Sequence, residues 1–73
     1  MRNTSWHVHV HRPITIHDDT NPVTIEPGEY PIREADLASY EFGERGRPLG
    51  RLSLSDLLKL RRSGALTIEG AFP

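Results

Sequence analysis

Between Trp6 and His17 apolar residues fall on even positions (Trp6, Val8, Val10, Ile14, Ile16), and odd positions carry His7, His9, His11, Thr15 and His17. A repeat of two is the signature of a strand with one face buried and one face wet. It predicts that the four histidines point away from the core. Arg12-Pro13 interrupts the run, and proline cannot donate a ladder hydrogen bond, so the strand must bulge, break or lie at a sheet edge. The preferred placement is an exposed edge at Trp6, His7, Val8, His9, Val10 and His11.

The rest of the chain completes a small α+β pattern. Asp18-Asp19-Thr20-Asn21-Pro22 is dense in turn formers and ends the first element. Val23-Thr24-Ile25 and Tyr30-Pro31-Ile32 flank Glu26-Pro27-Gly28-Glu29, which predicts a hairpin turning at Pro27-Gly28. Arg33 to Ala38 has helical propensity and is expected to make one or two turns before the chain extends again at Ser39-Tyr40-Glu41-Phe42. A glycine-rich loop from Gly43 to Gly50 then leads to a short strand around Arg51-Leu52.

A helix follows. Ser53 caps it with Asp56 three residues on, Leu52 and Leu57 occupy the staple positions, and Gly64 ends it. Leu54, Leu57, Leu58 and Leu60 form the apolar arc; Lys59 and Arg62 face water, and Arg61 must lay its stem on apolar surface. Ala65-Leu66-Thr67-Ile68 returns as a strand. The expectation is one domain over residues 1–73, with a small antiparallel sheet, hairpins and one C-terminal amphipathic helix. A chain of 73 residues buries only about 60% of its unfolded surface, so deep clefts are not expected.

Charge is sorted along the chain. Arg45, Arg47, Arg51, Lys59, Arg61 and Arg62 face the single acid Asp56 between residues 45 and 62, whereas acids dominate residues 1–44 and the whole carries only −1. A one-signed stretch is where a small protein meets phosphates or an acidic protein surface. Arg45, Arg47, Arg51, Lys59 and Arg62 are therefore the expected contacts with nucleic acid or an acidic partner. A groove-reading DNA helix fits poorly, because the first turns offer Ser53, Ser55 and Asp56, and an acid there repels phosphate. The aromatic residues are not interleaved with the arginines, which removes a base-stacking platform.

His7-x-His9-x-His11 is the one pattern with metal-ligand character, since residues two apart on a strand share a face. Further ligands would have to come from His17, Asp18 or Asp19, and the reading adopted is a solvated face with no metal. Protonation of the four histidines can carry the formal charge from −1 to as much as +3, so affinity for an anionic partner is expected to rise on acidification. No nucleophile-base pair, carboxylate pair or phosphate loop stands out: Gly43-x-x-Gly46-x-x-x-Gly50 lacks the lysine and hydroxyl of a nucleotide loop. A non-catalytic protein without a cofactor is expected. With no cysteine, no long apolar run and no secretory apolar core after Met1, the expected setting is a reducing cytoplasm, without membrane contact and as a monomer.

The stretches Thr24-Ile25-Glu26-Pro27-Gly28-Glu29-Tyr30-Pro31-Ile32 and Leu52 to Leu66, with the chain length and an arginine-for-lysine bias, resemble small phage-encoded transcription regulators of the Xanthomonas-phage type. The likeness is one of general character over most of the chain and transfers no residue. It implies binding to bacterial RNA polymerase in the host bacterial cytoplasm, with the exposed edge at Trp6 to His11 adding to the polymerase by strand pairing, and inhibition of initiation and antitermination. The alternatives are a stand-alone nucleic-acid-binding module and an inhibitor of a bacterial defence complex.

Overall fold

The computed structural model describes residues 5–44 and 47–72; Arg45, one of the expected contact residues, lies outside them. The chain forms β1 (Ser5–Val10), β2 (Ile14–Asp18), β3 (Asn21–Ile25), β4 (Gly28–Asp36), β5 (Ser39–Glu44), β6 (Arg47–Ser53), α1 (Leu54–Arg62) and β7 (Leu66–Ile68). The strands make one antiparallel sheet in the order β3-β2-β6-β5-β4-β1-β7, an α+β domain with its helix near the C-terminus.

The alternation from Trp6 to Ile16 is realised: Trp6, Val8, Val10, Ile14 and Ile16 are all buried. Its interruption at Arg12-Pro13 is a break between two halves of one bent strand. The following strand bends opposite it, at Glu26-Pro27. β1 pairs with β4 in a register that ends at Val10↔Gly28, and β2 pairs with β3 from Ile14↔Ile25 to Asp18↔Asn21. Three residues (His11, Arg12, Pro13) thus stand across from two (Glu26, Pro27), and this bulge-like mismatch bends both strands where prolines withhold their donors.

The expected hairpin at Pro27-Gly28 is therefore not formed. Val23-Thr24-Ile25 and Tyr30-Pro31-Ile32 are successive halves of the second bent strand and pair with β2 and β1, not with each other. The reversal lies instead at Asp19-Thr20, where Asp19 adopts φ 56, a conformation that Asp tolerates better than most residues. Arg33 to Asp36 is likewise strand, not helix, because it is laddered to β5 along its length, with Arg33 also paired to Ser5 of β1. The β4–β5 reversal falls at Leu37-Ala38, and Ala38 N–H donates to Asp36 Oδ1 at 3.0 Å. Ladder pairing with β5 outweighs a helix preference of a few tenths of a kcal/mol per residue. The expected loop from Gly43 to Gly50 is also mostly strand, with Gly43 and Glu44 ending β5 and Arg47 to Gly50 opening β6.

The sheet cannot be flat. Four inter-strand spacings separate β2 from β1 in the sheet order, about 19 Å in a plane. The chain from Val10 to Ile14 reaches at most about 14 Å. Ile25 to Gly28 is shorter still, yet joins β3 to β4 across the same number of spacings. The sheet accordingly curls into a barrel-like shape whose free edges are β3 and β7. The expected edge placement of Trp6 to His11 is overturned: β1 is paired on both sides, by β4 and β7. Trp6, Val8 and Val10 belong to the core, together with Ile25, Ile32, Tyr40, Phe42, Leu52, Leu57, Ala65 and Leu66.

The helix follows its sequence signals. Ser53 Oγ accepts from Asp56 N–H at 3.1 Å, and the staple residues Leu52 and Leu57 are both buried. At the other end Gly64 N–H donates to Arg61 O and Ala65 N–H to Leu60 O, with Gly64 at φ 82, which is a Schellman closure. Leu57 is fully buried, and Leu54 and Leu60 pack on the core as partly covered residues. Trp6, Tyr40 and Phe72 meet with ring centroids 5.0–5.8 Å apart, while Trp6 Nε1 donates to Ala71 O at 2.8 Å, tying the C-terminal segment to β1.

Curling brings β2 against β6 at Gly50. A Cβ on Gly50 would stand 2.8 Å from His17 O and 3.0 Å from Ile16 Cδ1. Gly50→Ala is expected to lower the unfolding free energy in urea by about 1–3 kcal/mol, the usual cost of overpacking. Gly43→Ala, whose Cβ would meet only ordinary contacts at 3.5 Å and beyond, should stay within about 0.5 kcal/mol.

Candidate docking surface

Antiparallel pairing undoes the linear charge segregation. Cross-strand registers place Ser5, Arg33, Glu41, Arg51 and His17 side by side across β1, β4, β5, β6 and β2. Arg33 Nη2 and Nε donate to Glu41 Oε1 at 2.9 and 3.0 Å. Arg51 stands opposite the same Glu41, and Arg47 is registered against Glu44. The acids of residues 1–44 thus flank two of the arginines expected to meet a partner. Both arginines are exposed, but on a surface of mixed sign.

The helix end differs. Lys59, Arg61 and Arg62 occupy its last turn, and Arg12, brought in by the bend between β1 and β2, donates from Nη2 to Ser63 O and Ser63 Oγ, both at 3.2 Å. Lys59 and Arg62 are one turn apart and exposed. Arg61 places its guanidinium 5.7 Å from the Phe72 ring centroid, the apolar support its position in the leucine arc requires. Among the described residues none of these four cations has an acidic partner within ion-pair distance. The negative end of the helix dipole stabilises such a cluster. Arg12 is the member that sequence reasoning missed; it lies 51 positions from Ser63, and no local pattern announces the contact.

The histidines all point outward but do not share one face. His17 stands opposite Arg51, and β6, β5 and β4 separate its strand from β1. His7 is exposed, and His11 Nε2 lies 2.7 Å from Thr67 Oγ1 on an open surface. His9 lies between two carboxylates, with Nδ1 3.3 Å from Glu29 Oε1 and Nε2 3.4 Å from Glu69 Oε2. Glu29 is its cross-strand partner, and Glu69 is positioned by donation from its backbone N–H to His7 O at 2.9 Å. These acids, rather than His17, Asp18 or Asp19, are the neighbours of the histidine strip.

Of the residues expected to bind a partner by strand addition, His7, His9 and His11 retain outward side chains, whereas Trp6, Val8 and Val10 are core, and the backbone edge is occupied. A shallow depression of about 210 Å³ opens outside β4, β5 and β6, with Pro31, Gly43, Arg47 and Pro48 in its lining. Tyr30 is half-buried; burial, with Glu44 and Glu26 nearby, raises the pKa of its hydroxyl, which donates to Glu26 O at 2.7 Å.

These features define a small curled-sheet domain that presents a cationic helix end. No protein family, curated protein or solved structure matches the chain. Among the described residues no helix is long and apolar enough to cross a membrane.

Asp36 gives a pH signature for the β4–β5 turn. The Ala38 N–H holds its carboxyl below the ordinary aspartate range, with Arg51 assisting. A depressed carboxyl favours the folded state above the unfolded-state pKa, about 3.9, and that preference fades as pH falls through the lower folded value. The Ala38 amide resonance should therefore titrate below the ordinary aspartate range, and in Asp36→Asn it should not move in that window.

Proposed function

We propose that this chain is a non-catalytic docking module that engages an acidic surface of a large protein assembly through Arg12, Lys59, Arg61 and Arg62. The resemblance to small phage regulators makes bacterial RNA polymerase the partner to test, with inhibition of initiation or antitermination as the consequence. The observation that carries the reading is the cluster of four cations, without acidic partners among the described residues, on a helix end closed by two capping hydrogen bonds. The aromatic side chains support a protein surface over bare single-stranded nucleic acid: Trp6, Tyr40 and Phe42 are buried and Phe72 is half-covered within their cluster, so little ring surface is left for base stacking. Docking through the helix end replaces the strand addition expected from sequence, which the β1–β7 pairing blocks.

Fluorescence anisotropy with purified bacterial RNA polymerase tests the proposal. Lys59→Ala/Arg62→Ala is expected to weaken binding roughly five- to thirtyfold at low salt, at about 0.5–1 kcal/mol per exposed charge, and the deficit should shrink as salt rises. Arg47→Ala/Arg51→Ala should cost less, because those arginines stand opposite Glu44 and Glu41. Equal losses in the two variants would count against the helix end. Tight binding of the wild type to naked duplex DNA, with a salt slope that drops by about 0.9 per removed cation, would replace the docking reading with a nucleic-acid-binding one.

A further inference from the structure

The group around His9 goes beyond docking. Two carboxylates converge on one imidazole, and among the described residues neither Glu29 nor Glu69 has an arginine or lysine partner. With the imidazole neutral, the group carries two negative charges that no lysine or arginine among the described residues pairs with. One ligand atom from each of His9, Glu29 and Glu69 lies within 4.8 Å of the others. Around a tetrahedral ion, ligands at about 2.0–2.2 Å stand a little over 3 Å apart. The His9 Nδ1–Glu29 separation of 3.3 Å already approaches that spacing, while Glu69 stands 3.4 Å from the other ring nitrogen, Nε2.

We infer that His9, Glu29 and Glu69 form a site for a late first-row divalent cation of the zinc class, on the outer face of β1. The donor set of one nitrogen and two carboxylate oxygens suits such an ion better than magnesium or calcium, which prefer all-oxygen shells. Its charge matches that of the two carboxylates. Water completes the shell on this open face. Strands supply the ligand frame: His9 and Glu29 are register partners on β1 and β4, and Glu69 is fixed by its backbone bond to His7. The two carboxylates face opposite ring nitrogens, so one of them swings to reach a common ion. Their side chains are 68% and 65% exposed and free to do so. The bound ion ties the start of β4 and the segment after β7 to β1, and so stabilises the sheet at its β7 edge.

Zn²⁺ titrated into the full chain near neutral pH is the test, followed by calorimetry, by nitrogen-15 spectra of the histidine rings and by thermal melting. The expected result is one bound equivalent, a shift of the His9 ring resonances ahead of those of His7, His11 and His17, and a melting temperature that rises with Zn²⁺. His9→Ala and Glu29→Gln/Glu69→Gln should each lose at least about tenfold in affinity, given that even outer partners of metal ligands are worth that much. Metal-free melting of the glutamine variant confirms that the loss is not unfolding. The site is overturned if millimolar Zn²⁺ binds nowhere. It is equally overturned if the glutamine variant binds as the wild type does and only replacement of His7 or His11 abolishes binding, which would assign the ion to a bare histidine strip.

Discussion

Two long strands bend at Arg12-Pro13 and at Glu26-Pro27, and each thereby takes part in both halves of the sheet. Everything else depends on that bend. The short connections cannot bridge a flat seven-stranded sheet, so the sheet must curl until β2 reaches β6, and the contact is close enough that only a glycine fits at position 50. Curling converts a row of alternating apolar residues into a closed core: Val8, Ile16, Ile32 and Phe42 come from four strands and are all completely or almost completely buried. It also brings Arg12 to the end of a helix that begins 42 positions later, at Leu54.

The same geometry redistributes charge. Antiparallel neighbours that lie far apart in the chain become rungs of one ladder, and Glu41 falls between Arg33 and Arg51. Mixed-sign rungs contribute modestly to stability at an exposed surface, and they remove the long-range field that a one-signed stretch suggests. What remains strongly positive is the end of α1, where the helix dipole favours cations and Arg12 adds a fourth. On the histidine face the sign is reversed, because Glu29 and Glu69 gather at His9. A cationic helix end and an acidic, imidazole-containing cluster are distinct surfaces, suited to an anionic partner and to a divalent cation respectively.

The elements read correctly from sequence are those with a strictly local cause. The alternation of Trp6 to Ile16, the Ser53 cap, the Leu52–Leu57 staple, the glycine stop at Gly64 and the final strand all rest on residues within a few positions of one another. The misread elements involve a local preference overruled by a distant partner. Pro27-Gly28 has the composition of a hairpin turn, but its flanks find partners in β2 and β1. Arg33 to Asp36 favours a helix only weakly, and β5 claims it as a ladder partner. Trp6 to His11 carries a nearby proline as an edge strand does, but that proline marks a corner and β7 covers the edge.

For the candidate surfaces the division is similar. Lys59, Arg61 and Arg62 at the helix end were legible because capping and dipole rules act within one turn, and the outward histidines were legible because a strand repeats every two residues. Which acids or bases stand beside them was not legible. Glu29 and Glu69 at His9, Glu41 beside Arg51 and Arg12 at Ser63 are separated in the chain by 10 to 60 positions, and strand register and the curl of the sheet alone bring them together. The sequence by itself determined the faces and the helix caps, through short-range sterics and hydrogen bonding; the tertiary structure decided the neighbours, because the bend and curl of the sheet set the long-range pairings.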